Sequence, residues 1–170
     1  YFYNSRILYK AGEGKFPKSW YQPRLYHMWW CAEQYASFPC HRQSHELWLQ
    51  QNAERKDVIT TPTGLQYKCI EQGWEYSARP DDAKLVTIKY RGRFINGYEF
   101  DSNDSYTGYV SSFVPGFAEG LKKMNEFGKF EFYIPYDLGY GKEGSGNEGT
   151  SNHIPPYSTL IFEVELMKVE

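Results

Sequence analysis

Residues 86–102, VTIKYRGRFINGYEFDS, can be read directly as a hairpin. Val86, Ile88, Tyr90 and Phe94 alternate with Thr87, Lys89, Arg91 and Arg93, the period-2 signature of a half-buried strand. A turn follows at Asn96-Gly97. A two-residue loop would set Phe100 opposite Arg93 on the polar face. A three-residue loop, Ile95-Asn96-Gly97 with Gly97 in the left-handed position, keeps the aromatic residues together. That register places Phe94 opposite Tyr98, Gly92 opposite Phe100, and Arg93 opposite Glu99 on the solvated face. Tyr90 and Phe100 then share one wall.

The rest of the second half is also strand-rich. Residues 65–71 alternate through Leu65, Tyr67 and Cys69, which predicts a strand and a buried thiol at Cys69. Residues 72–82, with Gly73 and Pro80, read as a loop, and the polar run 103–108 as a loop or broken strand. Residues 129–135 and 160–169 read as further strands, the latter with Leu160, Phe162, Val164 and Leu166 on one face. One good helix interrupts them at 117–125: Phe117, Leu121 and Met124 recur on one side and Pro115-Gly116 precede it. Strands with a single short helix imply an α+β fold, an antiparallel sheet wrapped around that helix.

Upstream, HELWLQQNAERKD predicts a leading helix with Ser44 as N-cap and Leu47 as a staple to the core. Glu46 would sit in its first turn and Arg55 and Lys56 in its last. Residues 1–44 hold Tyr1, Phe2, Tyr3, Tyr9, Phe16, Trp20, Tyr21, Tyr26, Trp29, Trp30, Tyr35 and Phe38 without a sustained period, and Pro17, Pro23 and Pro39 interrupt any long element. So many aromatic rings disfavour disorder. They must be buried on the following domain or on another chain. The division is therefore an arm and helix over 1–59 and a domain over 60–170.

Composition narrows the function. A net charge of -2 over 170 residues leaves no basic excess to hold a phosphate backbone, so nucleic acid is not an expected partner. No run approaches the ~20 apolar residues of a membrane span, and no signal-peptide pattern is present, so a soluble chain is expected. The chain opens on Tyr rather than Met, as a removed or unrecorded upstream segment would leave it. Cys31, Cys40 and Cys69 are odd in number with no CxxC among them, which leaves pairing and redox compartment open. Cys31, Cys40, His41 and His45 are poor candidates for zinc because the cysteines are separated by far more than the usual ligand spacing. His27 and His153 stand alone and read as surface or packed residues. Residues 139–144, GYGKEG, satisfy G-x-G-x-x-G but run into more polar loop instead of a helix, so phosphate-cradling geometry is not expected.

Four motifs in order, KYRGRFINGYEFDS, FVPGFAEGLKKM, FYIPYDLGYG and HIPPYSTLIFEVELMKVE, resemble the FKBP-type peptidyl-prolyl isomerases. The resemblance covers about residues 60–170 and implies that family's half-barrel sheet. It implies a proline pocket with Tyr90, Phe100 and Phe162 as walls, Phe117 as floor, and Val114 and Ile154 at the entrance. The Ile154 N–H would hold the carbonyl before the proline. Asp101 and the Tyr140 hydroxyl would orient the peptide, and Tyr109 would add a wall. Phe117 departs from the family's usual Trp, and the 144–153 loop is longer than usual and would overhang the pocket. The segment NAERKDVITTPTGLQY is similar to the lead-in of Gram-negative envelope members, whose helical arms dimerise or attach to a membrane or partner. This implies a periplasmic or outer-membrane-associated protein, with partner contact or self-association through 1–59.

The chemistry fits the residue types. Rotation about a peptide bond meets a barrier of ~18–20 kcal/mol, and both isomers of Xaa-Pro are populated. The twisted amide has lost its resonance and carries less charge separation than the planar one. An apolar, water-poor pocket therefore favours it relative to the ground state. No nucleophile, metal or redox cofactor is required. The alternative is a weakly active or inactive binding module fixed in an envelope complex by its arm.

Overall fold

The computed structural model describes residues 38–148 and 150–170. Residues 1–37, which hold His27, Cys31 and most of the aromatic-rich stretch expected to form an arm, lie outside the described residues, as do the side chains of Phe38, Pro39 and Cys40. The elements are α1 (Phe38–Ala53), β1 (Ile59–Thr60), β2 (Gln66–Glu71), β3 (Leu85–Phe94), β4 (Glu99–Tyr109), α2 (Pro115–Leu121), β5 (Lys129–Ile134) and β6 (Leu160–Val169). The strands form one six-stranded sheet in the order β1-β2-β5-β6-β3-β4, with every neighbouring pair antiparallel.

The inner face of the sheet closes over α2. Alternating residues of β6 (Leu160, Phe162, Val164, Leu166) meet Val86 and Ile88 of β3, Phe130, Phe132 and Ile134 of β5, and Phe117, Leu121 and Met124 below them. Pro115 suits the start of α2, where its missing N–H costs nothing. The helix is shorter than predicted: it ends at Leu121, and Lys123 and Met124 continue as a tight turn whose N–H groups donate to the Gly120 and Leu121 carbonyls. Met124 still faces the core.

The hairpin has the predicted loop. Gly97 lies at φ 88°, the Phe94 N–H donates to the Tyr98 carbonyl at 2.9 Å, and Arg93 pairs with Glu99. One register differs from expectation: Gly92 pairs with Asp101, not Phe100, because β4 carries an extra residue at this point. The run 103–108 is a continuous part of β4, with a second shift between Ile88 and Tyr90. Its polar side chains are tolerated because β4 is the edge strand and that stretch is open to solvent.

The outer face carries α1. Trp48 and Leu49 pack with Val58, Ile95, Tyr133 and Ile161, so Phe132-Tyr133-Ile134 and Leu160-Ile161-Phe162 are buried on both faces. Here several expectations are corrected. Ser44 does not cap α1 but sits inside it, donating to the His41 carbonyl three residues back at 2.9 Å. Leu47 points outward, 38% exposed, and the contact falls to Trp48 and Leu49. Glu46 is bound to Arg42 one turn earlier at 2.7 Å. Arg55 and Lys56 follow the helix instead of ending it. Arg55 reaches back to Asn52 Oδ1 at 3.1 Å and the Tyr133 hydroxyl at 3.3 Å. Cys69 is exposed rather than buried, since β2 lies near the open edge beyond β5.

Candidate active site

Tyr90 leaves β3 on the inner face, and three of its neighbours are aromatic: Phe117, Phe162 and Tyr106 with ring centroids at 6.3, 6.1 and 6.2 Å, all edge to face. Phe117 rises from the first turn of α2 to the centre of the group. It meets Phe162 at 5.0 Å and Phe132 at 5.7 Å with rings nearly perpendicular, and Phe113 stacks on it at 4.8 Å. Phe100 closes one side against Phe162 at 5.6 Å and Phe94 at 4.7 Å. Edge-to-face pairs of this kind lock ring orientation beyond simple area burial. Gly92 is what lets two of these rings meet across β3: a Cβ there would lie 2.6 Å from Phe162 Cε1 and 2.8 Å from Phe100 Cζ.

The polar groups sit at the rim. The Tyr90 hydroxyl donates to Asp101 Oδ2 at 2.9 Å. Burial and then this carboxylate push the Tyr90 phenol well above its ordinary pKa, and burial together with Asp101 pushes Tyr140 the same way. Both phenols therefore stay protonated donors through the neutral range. The Asp101 side chain is open to solvent, while Phe100 beside it is buried. Ile154 is buried at the edge of the core cluster, and Val114 packs against it half-buried.

Sequence expectation and geometry part in two places. The Ile154 N–H donates to the Ser145 carbonyl at 2.7 Å, in a bridge that pins the base of the 144–153 loop. By contrast, the Val114 N–H has no acceptor among the described residues, although it lies between Phe113 and Phe117 in the chain. Tyr109 is 57% exposed and pairs with Leu85 at the far end of β4. Tyr106 takes the position beside Tyr90 and also meets Phe113 at 5.7 Å. Tyr106 and Phe113 went unnamed in the sequence. A register shift between Asn103 and Tyr106 breaks the period-2 count along β4, so alternation from Phe100 does not pick out Tyr106 over Tyr109.

A model of the family described as FKBP-type peptidyl-prolyl cis-trans isomerase matches residues 76–167, more than half of the chain. The chain belongs to the FKBP-type peptidyl-prolyl cis-trans isomerase family. It is 38% identical over 138 residues to a probable FKBP-type isomerase, FkpA, of Neisseria meningitidis serogroup B, covering 79% of this chain and 48% of the relative. It is 34% identical over 129 residues to the outer membrane protein MIP of Legionella longbeachae, covering 74% of this chain and 52% of that one. The crystal structure of FkpA from Escherichia coli superposes with a TM-score of 0.69 at 35% identity, covering 75% of this chain and 58% of the other. The six-stranded sheet around a short helix is thus the FKBP fold. The chain spans about half the length of the curated relatives it matches.

As for other chemistries, no group of three or more His, Cys, Asp or Glu residues among the described residues is placed to hold a metal ion. His45 Nδ1 is occupied by the Thr159 N–H at 2.9 Å. No helix among the described residues is long and apolar enough to cross a membrane.

Proposed function

We propose that this FKBP-family chain catalyses cis-trans isomerisation of Xaa-Pro bonds in proline-containing polypeptides, with 60–170 as the isomerase domain and 1–59 as its arm. The observation that carries this reading is the aromatic group around Phe117, with the hydrogen-bonded Tyr90–Asp101 pair at its rim. Phe117 would lie under the proline ring, with Tyr90, Phe100 and Phe162 as walls and Val114 and Ile154 at the entrance. The unpaired Val114 N–H, rather than that of Ile154, is the backbone donor available to the carbonyl before the proline. Asp101 and Tyr140 orient the peptide.

Rotation of the amide uncouples the nitrogen lone pair from the carbonyl. Surrounding it with rings instead of water removes solvation that favours the polar, planar state, and this preference for the twisted amide is the source of the rate. The likeness to relatives such as MIP supports a place in the cell envelope and clients that are unfolded or exported. The smaller floor ring at Phe117 still has neighbours on every side, so it closes the base of the group without Trp.

The test is cis/trans exchange in a short Xaa-Pro peptide, followed by NMR, with the intact chain and an Asp101→Ala, Tyr140→Phe double variant. Acceleration by the intact chain that drops by about tenfold or more in the variant, the scale of losing orienting hydrogen bonds, supports the assignment. A folded intact chain without acceleration sinks it.

A further inference from the structure

We propose that the first turns of α1, through Arg42 and His45, are positioning residues for the site on the opposite side of the sheet; this rests on the isomerase reading above. The contacts are polar and specific. His45 is buried and accepts the Thr159 N–H on Nδ1 at 2.9 Å. Ser158 donates its hydroxyl to the Pro155 carbonyl at 2.7 Å, which leaves its oxygen to accept from His41 Nε2 at 3.5 Å. The Arg42 guanidinium lies over the rings of both Tyr136 and Tyr157, 5.7 and 5.6 Å from their centroids, and those rings meet edge to face at 5.0 Å.

What α1 grips is the pair of segments that present Tyr140 and Ile154. The Gly141 N–H donates to the Tyr136 carbonyl at 2.7 Å, and the Tyr157 N–H donates to the Gly141 carbonyl at 3.0 Å. Gly141 is thereby tied on both sides to the two residues under Arg42, and Tyr140 precedes it in the chain. Pro155 and Ser158 stand in the same short stretch as Ile154, whose side chain borders the aromatic group. Without α1 the Tyr136–Tyr157 pair loses its cation and the Thr159 N–H loses its acceptor. The Tyr140 hydroxyl then samples more positions, and a misplaced orienting group weakens binding of the peptide.

The experiment uses the full chain with His45→Ala, Arg42→Ala and His45→Asn, and Leu47→Ala as a control on the exposed side of the same helix. Asn can place Oδ1 where Nδ1 now accepts, so it rescues the bond without the ring. Hydrogen exchange at the Gly141 and Tyr157 amides is expected to speed about tenfold in His45→Ala and Arg42→Ala, and to return to within about twofold in His45→Asn. For an Xaa-Pro peptide, kcat/KM should fall about fivefold in the first two variants, mainly through KM, recover in the Asn variant, and stay unchanged in Leu47→Ala. Unchanged amide exchange in both His45→Ala and Arg42→Ala overturns the proposal. So does loosened exchange with kcat/KM held within about twofold of an active parent. A folded parent with no activity ends the isomerase reading, and with it the positioning role, while the amides still report whether α1 grips the loops.

Discussion

The inner face of the sheet, where Tyr90, Phe100, Phe117 and Phe162 meet, and the outer face, where α1 lies over Tyr133 and Ile161, are closed by different means. Inside, ring edges meet ring faces and the polar groups are kept to the rim. Outside, a modest apolar contact is combined with buried polar bonds: Asn52 Nδ2 donates to Gln66 Oε1 at 2.9 Å, Gln66 Nε2 to the Leu49 carbonyl at 2.9 Å, and His45 accepts from Thr159. Apolar packing is insensitive to pH. Buried hydrogen bonds are directional, and an imidazole ties them to protonation. The inner face is therefore indifferent to protonation, while the outer face is held by contacts that a proton on His45 can break.

The largest difference should appear on truncating Phe162. It is 6% exposed and touches Tyr90, Phe100 and Phe117. Removing its ring should cost about 3–5 kcal/mol of stability by urea unfolding, besides abolishing isomerisation. A loss below about 1 kcal/mol would mean that the surrounding rings collapse into the space left by Phe162.

Acidification should strike the other face first. Burial, and then the neighbouring His41, push His45 down to about 3, and burial lowers His41 as well. In the detached helix both rings return toward the ordinary 6.5. The other charged or titratable groups around them are Arg42 with its partner Glu46, and Tyr136 and Tyr157 beneath the guanidinium. The detached form binds more protons than the docked one between about pH 3 and 6.5, so docking is at full strength above about 6.5 and is lost as pH falls through that window. At pH 5 the loss from His45 is about 2 kcal/mol. Urea unfolding at pH 7.5 and pH 5 should show this loss in the parent and a clearly smaller one, left by His41, in His45→Asn. An equal pH effect in both would remove His45 as its source.

The same contrast explains what could be read from the chain. The inner face was legible because period-2 alternation in 86–94 and 160–166 marks a strand with one apolar side, and the loop at Gly97 needs a residue that accepts positive φ. The extra residue that moves Gly92 from Phe100 to Asp101 was not legible: a bulge is a local choice of the pairing, and alternation on either side of it stays intact. The outer face was hidden for another reason. α1 has no clean apolar stripe, its anchors are His45, Asn52 and Trp48, and Ser44 imitates a cap while bonding back inside the helix. Polar anchors announce themselves only when their partners, far along the chain at Gln66 and Thr159, are in view.

The smallest effects separate Tyr106 from Tyr109, three residues apart on β4. Tyr106 meets Tyr90 and Phe113 edge to face, and Tyr109 stands at the far end of the strand beside Leu85. Both are substantially exposed, at 38% and 57%, so neither truncation should cost more than about 1 kcal/mol of stability. Their effects on catalysis should differ. One aromatic edge contact is worth about 0.5–1.5 kcal/mol, which at the wall of the site becomes roughly a two- to tenfold fall in kcat/KM for Tyr106→Ala. Tyr109→Ala should stay within about twofold of the parent, because its ring has no part in the aromatic group. The reverse order would return the wall to Tyr109 and mean that β4 shifts its register when a peptide binds, so that the far end of the edge strand, rather than its middle, meets the proline.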